Sequence, residues 1–281
     1  PRALRDGARR LPKGGETAEE QTGEVERDYN FYNNLHRDFY LTELQRWYLE
    51  RTGKPLSLRY PSTFNEKIQW LKLYNTTTQK GQLSDLCRVR EYAAERIGEE
   101  YLVPKLGEWK KFGEIDFTQL PDSFVLKVSH GCEDCIPVAS RAAMDTEQVA
   151  SRVTDWLGHN YAFDNGFELQ YMNLSPRIFA EPYAEVCPRK RYGVFCFAGH
   201  AEYILHEDAF FDRDGNRLAL AYADARSGGE APTADLGTLA ALAEKLAEGL
   251  CFVRVDFRVE DDGAVQFEKL SFTPESGVRP W

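Results

Sequence analysis

The stretch that decides the fold class is Cys251-Phe-Val-Arg-Val-Asp-Phe-Arg-Val-Glu-Asp-Asp-Gly-Ala-Val-Gln-Phe-Glu-Lys-Leu-Ser-Phe272. It reads as two strands, 251–259 and 264–272, joined by an acidic turn containing Gly263, which is a strong hairpin signal. Residues 192–206 repeat the pattern, with alternating apolar positions either side of a turn at Ala198-Gly199-His200. Upstream, Pro121-Asp-Ser introduces a strand over 124–129. Phe124, Leu126 and Val128 share one face of it, and Val125, Lys127 and Ser129 the other. Residues 176–184 read as a further strand.

Before and between these strands lie segments of helical period. Leu41, Leu44, Trp47 and Tyr48 fall at helical spacing. Thr63-Phe-Asn-Glu66 is a capping box that starts a helix with Phe64, Ile68 and Leu71 on one face. A helix is predicted from about 83 to 97, ending on Gly98 as a left-handed cap. Asp145 opens another, striped by Val149, Val153, Trp156 and Leu157, and Leu239, Leu242 and Leu246 mark a short one ending at Gly249. Helices and hairpins mixed without strict βαβ alternation predict an α+β fold with mainly antiparallel sheets.

The chain has 281 residues, 35 Lys+Arg against 45 Asp+Glu, and 42% hydrophobic residues. That is room for one large domain or two closely packed ones. Its formal charge of −10 argues against nonspecific nucleic-acid binding, which needs clustered Lys and Arg. No uncharged apolar run reaches the roughly 18 residues of a membrane span, and no signal-peptide pattern opens at Pro1. Six cysteines, of which only Cys132 and Cys135 are close in sequence, make no disulfide framework and point to a reducing compartment. Cys132-Glu-Asp-Cys135 lacks a second C-x-x-C or a histidine pair to complete a zinc site.

Charged residues inside apolar strands are the candidate site. Lys127 lies in FVLKVS and is followed by His130-Gly131. Glu181 lies in RIFAEPY, Arg254 and Asp256 in FVRVDF, and Glu268 with Lys269 in the partner strand. Such charges would be costly to bury without partners. Whether Asp256 and Glu268 can hold one Mg²⁺ depends on hairpin register. A loop of two or four residues sets Asp256 against Lys269 or Phe267. A three-residue loop with a bulge sets it against Glu268, and the sequence leaves the choice open.

Taken together, Phe64-Asn-Glu-Lys-Ile-Gln-Trp-Leu-Lys-Leu-Tyr74, Val89-Arg-Glu-Tyr92, Phe124-Val-Leu-Lys127 with His130-Gly131, Pro176-Arg-Ile-Phe-Ala-Glu181, Phe195-Cys-Phe197, Phe252-Val-Arg-Val-Asp256 and Leu270-Ser-Phe272 with Ser276-Gly277 resemble the TupA-like ATP-grasp family over about residues 41–278. The resemblance implies an ATP-grasp-like α+β fold, two subdomains with mainly antiparallel sheets flanked by helices. On it the chain divides into a charged N-terminal extension (1–28), a helical part (29–120), a central subdomain (121–184) and a C-terminal subdomain (185–281).

It also implies an ATP-dependent carboxylate–amine ligase of cell-surface polysaccharide biosynthesis, working through an acyl phosphate; the missing membrane span and the cysteine usage lead to the expectation of a cytoplasmic location. The expected partners are a nucleotide and a carboxylate-bearing saccharide or amino acid, with no nucleic acid. By resemblance Lys127, His130, Gly131 and Glu181 would bind ATP, Asp256 and Glu268 would hold Mg²⁺, and Arg254 with Asp256 would serve catalysis. The chain departs from the family pattern where Leu86, Pro182 and Gly193 replace lysines, where Lys269 replaces the usual metal-binding Glu, and where Glu133 and Asp134 stand in a Gly-rich phosphate loop. Those departures carry the alternative: an ATP-grasp-fold protein that has lost ATP chemistry and serves as a binding module or uses another donor such as a nucleotide sugar. They also lead to the expectation that the chain's acidity reaches into the site itself.

Overall fold

The computed structural model describes residues 28–131, 134–183, 190–225 and 231–281. Residues 1–27 of the 1–28 extension, and Cys132 and Glu133 of the C-x-x-C, lie outside them. In chain order the elements are α1 (Tyr29–Asn33), α2 (Tyr40–Thr52), α3 (Phe64–Tyr74), α4 (Thr78–Ser84), α5 (Val89–Ile97), β1 (Gly107–Trp109), β2 (Phe124–Val128), β3 (Cys135–Val138), α6 (Thr146–Gly158), β4 (Ile178–Pro182), β5 (Lys190–Phe197), β6 (His200–His206), β7 (Ala209–Phe211), α7 (Leu236–Ala247), β8 (Phe252–Val259) and β9 (Val265–Ser271). The strands form two antiparallel sheets, ordered β1-β4-β2-β3 and β7-β6-β5-β8-β9. This is the expected ATP-grasp-like α+β architecture, with helices flanking both sheets.

Each sheet buries one face under helices. Phe124 and Leu126 of β2 and Ile178 and Ala180 of β4 pack on Val149 and Val153 of α6. Val253, Val255 and Phe257 of β8 pack with α7 and with Val89, Ala93 and Ile97 of α5. The other face of the five-stranded sheet is divided along its length. Phe195, Phe197 and Phe252 meet Phe64 and Ile68 of α3. Beyond them the same face carries Arg191, Gly193, Arg254, Asp256 and Arg258, because period-2 alternation and the β5–β8 register stack Arg191 on Arg258, Gly193 on Asp256 and Phe195 on Arg254.

The capping box forms as the spacing requires: Glu66 N–H donates to Thr63 Oγ1 (3.2 Å), and Glu66 Oε2 accepts from Thr63 N–H (2.9 Å). Three expectations need correction. The helix read over 83–97 is two helices, since Asp85 is extended and its carboxylate takes the N–H groups of Cys87 (2.8 Å) and Arg88 (3.1 Å). An Asp that bonds nearby backbone in this way competes with helical bonding. Gly98 ends α5 at φ 106, ψ 154, which is not the left-handed helical cap. Leu41 does not join the buried face of α2, which is made by Tyr40, Leu44, Trp47 and Tyr48.

Beneath α3 lies a sealed polar network. Lys72, 1% exposed, donates to the carbonyls of Asn165 (2.7 Å) and Ser276 (2.8 Å) and sits over the Trp47 ring. The hydroxyl of Thr273 donates to the buried Glu168 (2.5 Å) and accepts from Gln170 (3.0 Å). Through these bonds α3, the 165–170 turn and the C-terminal 273–277 turn are fixed to one another.

Candidate active site

The charged faces of the two sheets enclose a cleft of about 560 Å³. That is within the roughly 300–1,000 Å³ common for small-molecule sites. Lys127, Phe179 and Glu181 enter it from the four-stranded sheet, and Arg254, Asp256, Glu268 and Lys269 from the five-stranded one. Among the described residues seven cationic side chains and six carboxylates line it. Of the two residues behind the expectation of an acidic site, Asp134 lines the cleft and Glu133 lies outside the described residues; the described lining itself is close to charge balance.

Lys127 and Glu181 share a sheet face because Lys127 pairs with Phe179 and Val125 with Glu181. The Lys127 ammonium donates to Glu181 Oε2 (2.5 Å), and Arg90 of α5 donates to Oε1 (3.3 Å). Glu181 is buried and accounts for one oxygen with each cation. Ser129, one residue past β2, donates its hydroxyl to Asp85 Oδ2 (3.0 Å), and Leu86 N–H donates to Ser129 O (2.7 Å). This tie fixes the start of α5, and so Arg90, against the strand end.

Arg254 and Asp256 stand two residues apart on one strand, hence on one face. Arg254 Nε donates to Asp256 Oδ1 (2.7 Å) and Nη2 to Oδ2 (3.2 Å), while Nη1 reaches Glu275 Oε1 (3.0 Å). Ser271 adds a hydroxyl to Asp256 Oδ2 (2.6 Å). Burial opposes the charge on Arg254, but Asp256 and then Glu275 outweigh it and raise its pKa. The clasp depends on Gly193: a Cβ there would lie 2.9 Å from Arg254 Cδ and 3.3 Å from Asp256 Oδ1. The side chain missing at 193 thus makes the space that Arg254 occupies.

The hairpin register resolves the question of Glu268. Glu260 N–H bonds Ala264 O (2.9 Å) and Val259 pairs with Val265, so the loop has the length that would set Asp256 against Glu268. A bulge intervenes: Phe257 pairs with Phe267, but Asp256 pairs with Lys269. Glu268 is the extra residue, left without a ladder partner as bulges require. It is claimed by Arg258, with Arg191 at 3.8 Å. Burial acts to raise the Glu268 pKa, but Arg258 holds it below the ordinary carboxylate value. The Lys269 side chain forms no ion pair or hydrogen bond among the described residues.

Gly131 lines the cleft, whereas His130 does not. The imidazole of His130 is buried, in edge contact with Tyr161 and with Nε2 3.2 Å from His159 O, so burial lowers its pKa and it is core. Asp134 lines the cleft and accepts from the Tyr161 hydroxyl.

The donor set can be tested against the two groups the resemblance implies. A nucleotide fits, since cationic side chains from both sheets face a cavity of suitable size. Mg²⁺ does not. It takes one or two carboxylates with open oxygens. Both oxygens of Asp256 accept from Arg254, one of them from Ser271 too, and Glu268 is held by Arg258. Among the described residues no group of three or more His, Cys, Asp or Glu side chains could hold a metal ion. Reading the sequence missed Arg90, Arg191, Arg258, Ser271 and Glu275. Arg258 was within reach of it, since 254, 256 and 258 share a strand face by alternation. Arg191 and Glu275 needed the tertiary fold.

A family model described as TupA-like ATPgrasp matches residues 66–280. No curated protein matches. Solved structures similar in fold include the ATP-grasp ligase PsnB with its minimal precursor (11% identity, 70% of this chain and 54% of that one, TM-score 0.41). Others are the D-cycloserine synthetase DcsG (17%, 73% and 65%, 0.42) and an L-amino acid ligase from Bacillus licheniformis (12%, 76% and 50%, 0.44). The chain spans about half to two thirds of the length of these proteins. With the family model covering most of the chain and two antiparallel sheets closing on one cation-lined cleft, the chain belongs to the TupA-like ATP-grasp family.

Proposed function

We propose that the chain is an ATP-dependent carboxylate–amine ligase acting on a precursor of cell-surface polysaccharide. The observation that carries this reading is the meeting of Lys127 and Glu181 from one sheet with Arg254 and Asp256 from the other on a single cleft. In this reading Lys127 meets phosphate oxygens, Glu181 serves the adenine side, and Arg254 meets the transferred phosphoryl group once Glu275 yields it. A carboxylate oxygen of the donor attacks the γ-phosphorus, the bond to the β-phosphate oxygen breaks, and ADP leaves. The amine nitrogen then attacks the acyl carbon, inorganic phosphate departs, and the amine proton passes to water. Phosphoryl transfer asks chiefly for positioned positive charge, which the cleft supplies from side chains. No helix among the described residues is long and apolar enough to cross a membrane. A cytoplasmic site of action on soluble or lipid-linked precursors accords with that.

The test is ADP release from ATP with a panel of sugar acids and amino acids, hydroxylamine standing in for the amine. Ligation predicts release that depends on the carboxylate, with a hydroxamate as product. Nucleotide binding with no carboxylate-dependent release would favour the second reading, a binding module. That reading has its own support in Asp256, which is fully engaged by Arg254 and Ser271.

A further inference from the structure

The side chains that would receive a metal ion in the cleft are occupied by cations of the protein itself. Asp256 is gripped through both oxygens by Arg254. Its partner across the ladder is Lys269, and directly opposed residues have Cβ atoms only about 4.5–5.5 Å apart. A dication on Asp256 would therefore sit between a guanidinium and the root of a lysine side chain. Glu268, the one other acidic residue of the hairpin facing the cleft, is displaced by the bulge and taken by Arg258. Opposite this acid–base lattice, Lys269 keeps an ammonium with no ion-pair partner among the described residues. Arg191, with 68% of its side chain exposed, has among the described residues only the long 3.8 Å ion pair to Glu268.

Resting on the reading of the cleft as a nucleotide site, we propose that the chain binds its nucleoside polyphosphate without a bridging divalent cation. Lys269, with Arg191 and Arg258 beside it, holds the phosphate oxygens from the five-stranded sheet, and Lys127 faces them from the four-stranded one. Arginine forks and a lysine point charge are both suited to phosphate oxygens. The bulge is what makes this possible, since it presents Lys269 rather than Glu268 opposite Asp256. A single substitution at 269 would then change the kind of counter-charge the site uses.

Calorimetric titration of the full chain with ATP, in excess MgCl₂ and in excess EDTA, tests the proposal. The dissociation constants in the two buffers should differ by less than about threefold. Lys269→Gln should weaken binding by about tenfold in both buffers, and Lys269→Glu should weaken it further in EDTA while recovering with Mg²⁺. Arg191→Gln, at a mostly exposed position, should weaken binding in both buffers by a smaller factor. A loss of tenfold or more for the unaltered chain on moving from Mg²⁺ to EDTA would overturn the proposal and leave the nucleotide site standing. No binding in either buffer would overturn the nucleotide reading and this inference with it.

Discussion

Lys72 and Glu168 belong to one network of charge, Arg254, Asp256 and Glu268 to another, and the two satisfy their charges differently. Lys72 is closed off, with two backbone carbonyls and an aromatic face around its ammonium and, among the described residues, no carboxylate in ion-pair contact. Burial lowers its pKa to about 8 against the pull of Glu168, and burial likewise raises the pKa of Glu168. In the cleft every carboxylate of the hairpin has a cation in direct contact, and those pairs keep partial access to solvent. A sealed network using backbone carbonyls can only hold the chain together. A lattice of side-chain pairs can exchange partners when an anion enters.

The sealed network should break the fold. Lys72→Met strands two carbonyls and removes the charge facing Glu168, at an expected cost of about 3–5 kcal/mol in urea denaturation. Adding Glu168→Gln should return part of that loss. A cost below about 1 kcal/mol would show that the network contributes little to folding.

The cleft network should lose activity before stability. Arg254→Lys keeps the charge but cannot make the two-pronged bond to Asp256 and reach Glu275 as well. Carboxylate-dependent ADP release should fall by about a hundredfold. The same variant should lose only about 1–2 kcal/mol of stability. Equal damage to both, or none to ADP release, would erase the distinction between the networks. Gly193→Ala probes the same clasp more gently, by pressing a methyl group on Arg254 Cδ. It should cost about 1–2 kcal/mol by denaturation, with a smaller fall in ADP release than Arg254→Lys. Wild-type behaviour would mean that Arg254 shifts without consequence.

How much of this could be read from the sequence follows from the range of the signals. Both hairpins, the capping box and the buried alternation of β2 are local patterns, and the strands and helix start fall where those patterns put them. Lys127, Glu181, Arg254 and Asp256 stood out because charge interrupts an apolar strand. The bulge at Glu268 did not, since the sequence leaves the hairpin register open and Arg258, which takes Glu268, is reached only in the folded hairpin. His130 was misplaced because adjacency to Gly131 says nothing about which way a ring turns at a strand end. Lys72 sat in plain view within Phe64–Tyr74 as one more helical residue. Its partners Asn165 and Ser276 are far along the chain, and no periodicity announces them.

Glu66 supplies the smallest effect and a reference for the other two, being an acid outside both networks. Its carboxylate takes the N–H groups of Thr63 (2.9 Å) and Ser62 (2.8 Å) and the hydroxyls of both. Those bonds, the Thr63 N–H foremost, lower its pKa from 4.5 to about 2. Because the folded-state value is the lower one, the stabilisation is whole above about pH 4.5 and is lost as pH falls toward 2. The capping interaction is worth about 1 kcal/mol. Denaturation curves of the chain and of Glu66→Gln, followed from neutral pH into acid, should therefore converge by about that amount across this window. Curves that stay parallel would assign the acid response to the cleft carboxylates instead. In that case the pairs with Arg254 and Arg258 would matter to the fold as well as to the site, and the contrast with Lys72 would narrow.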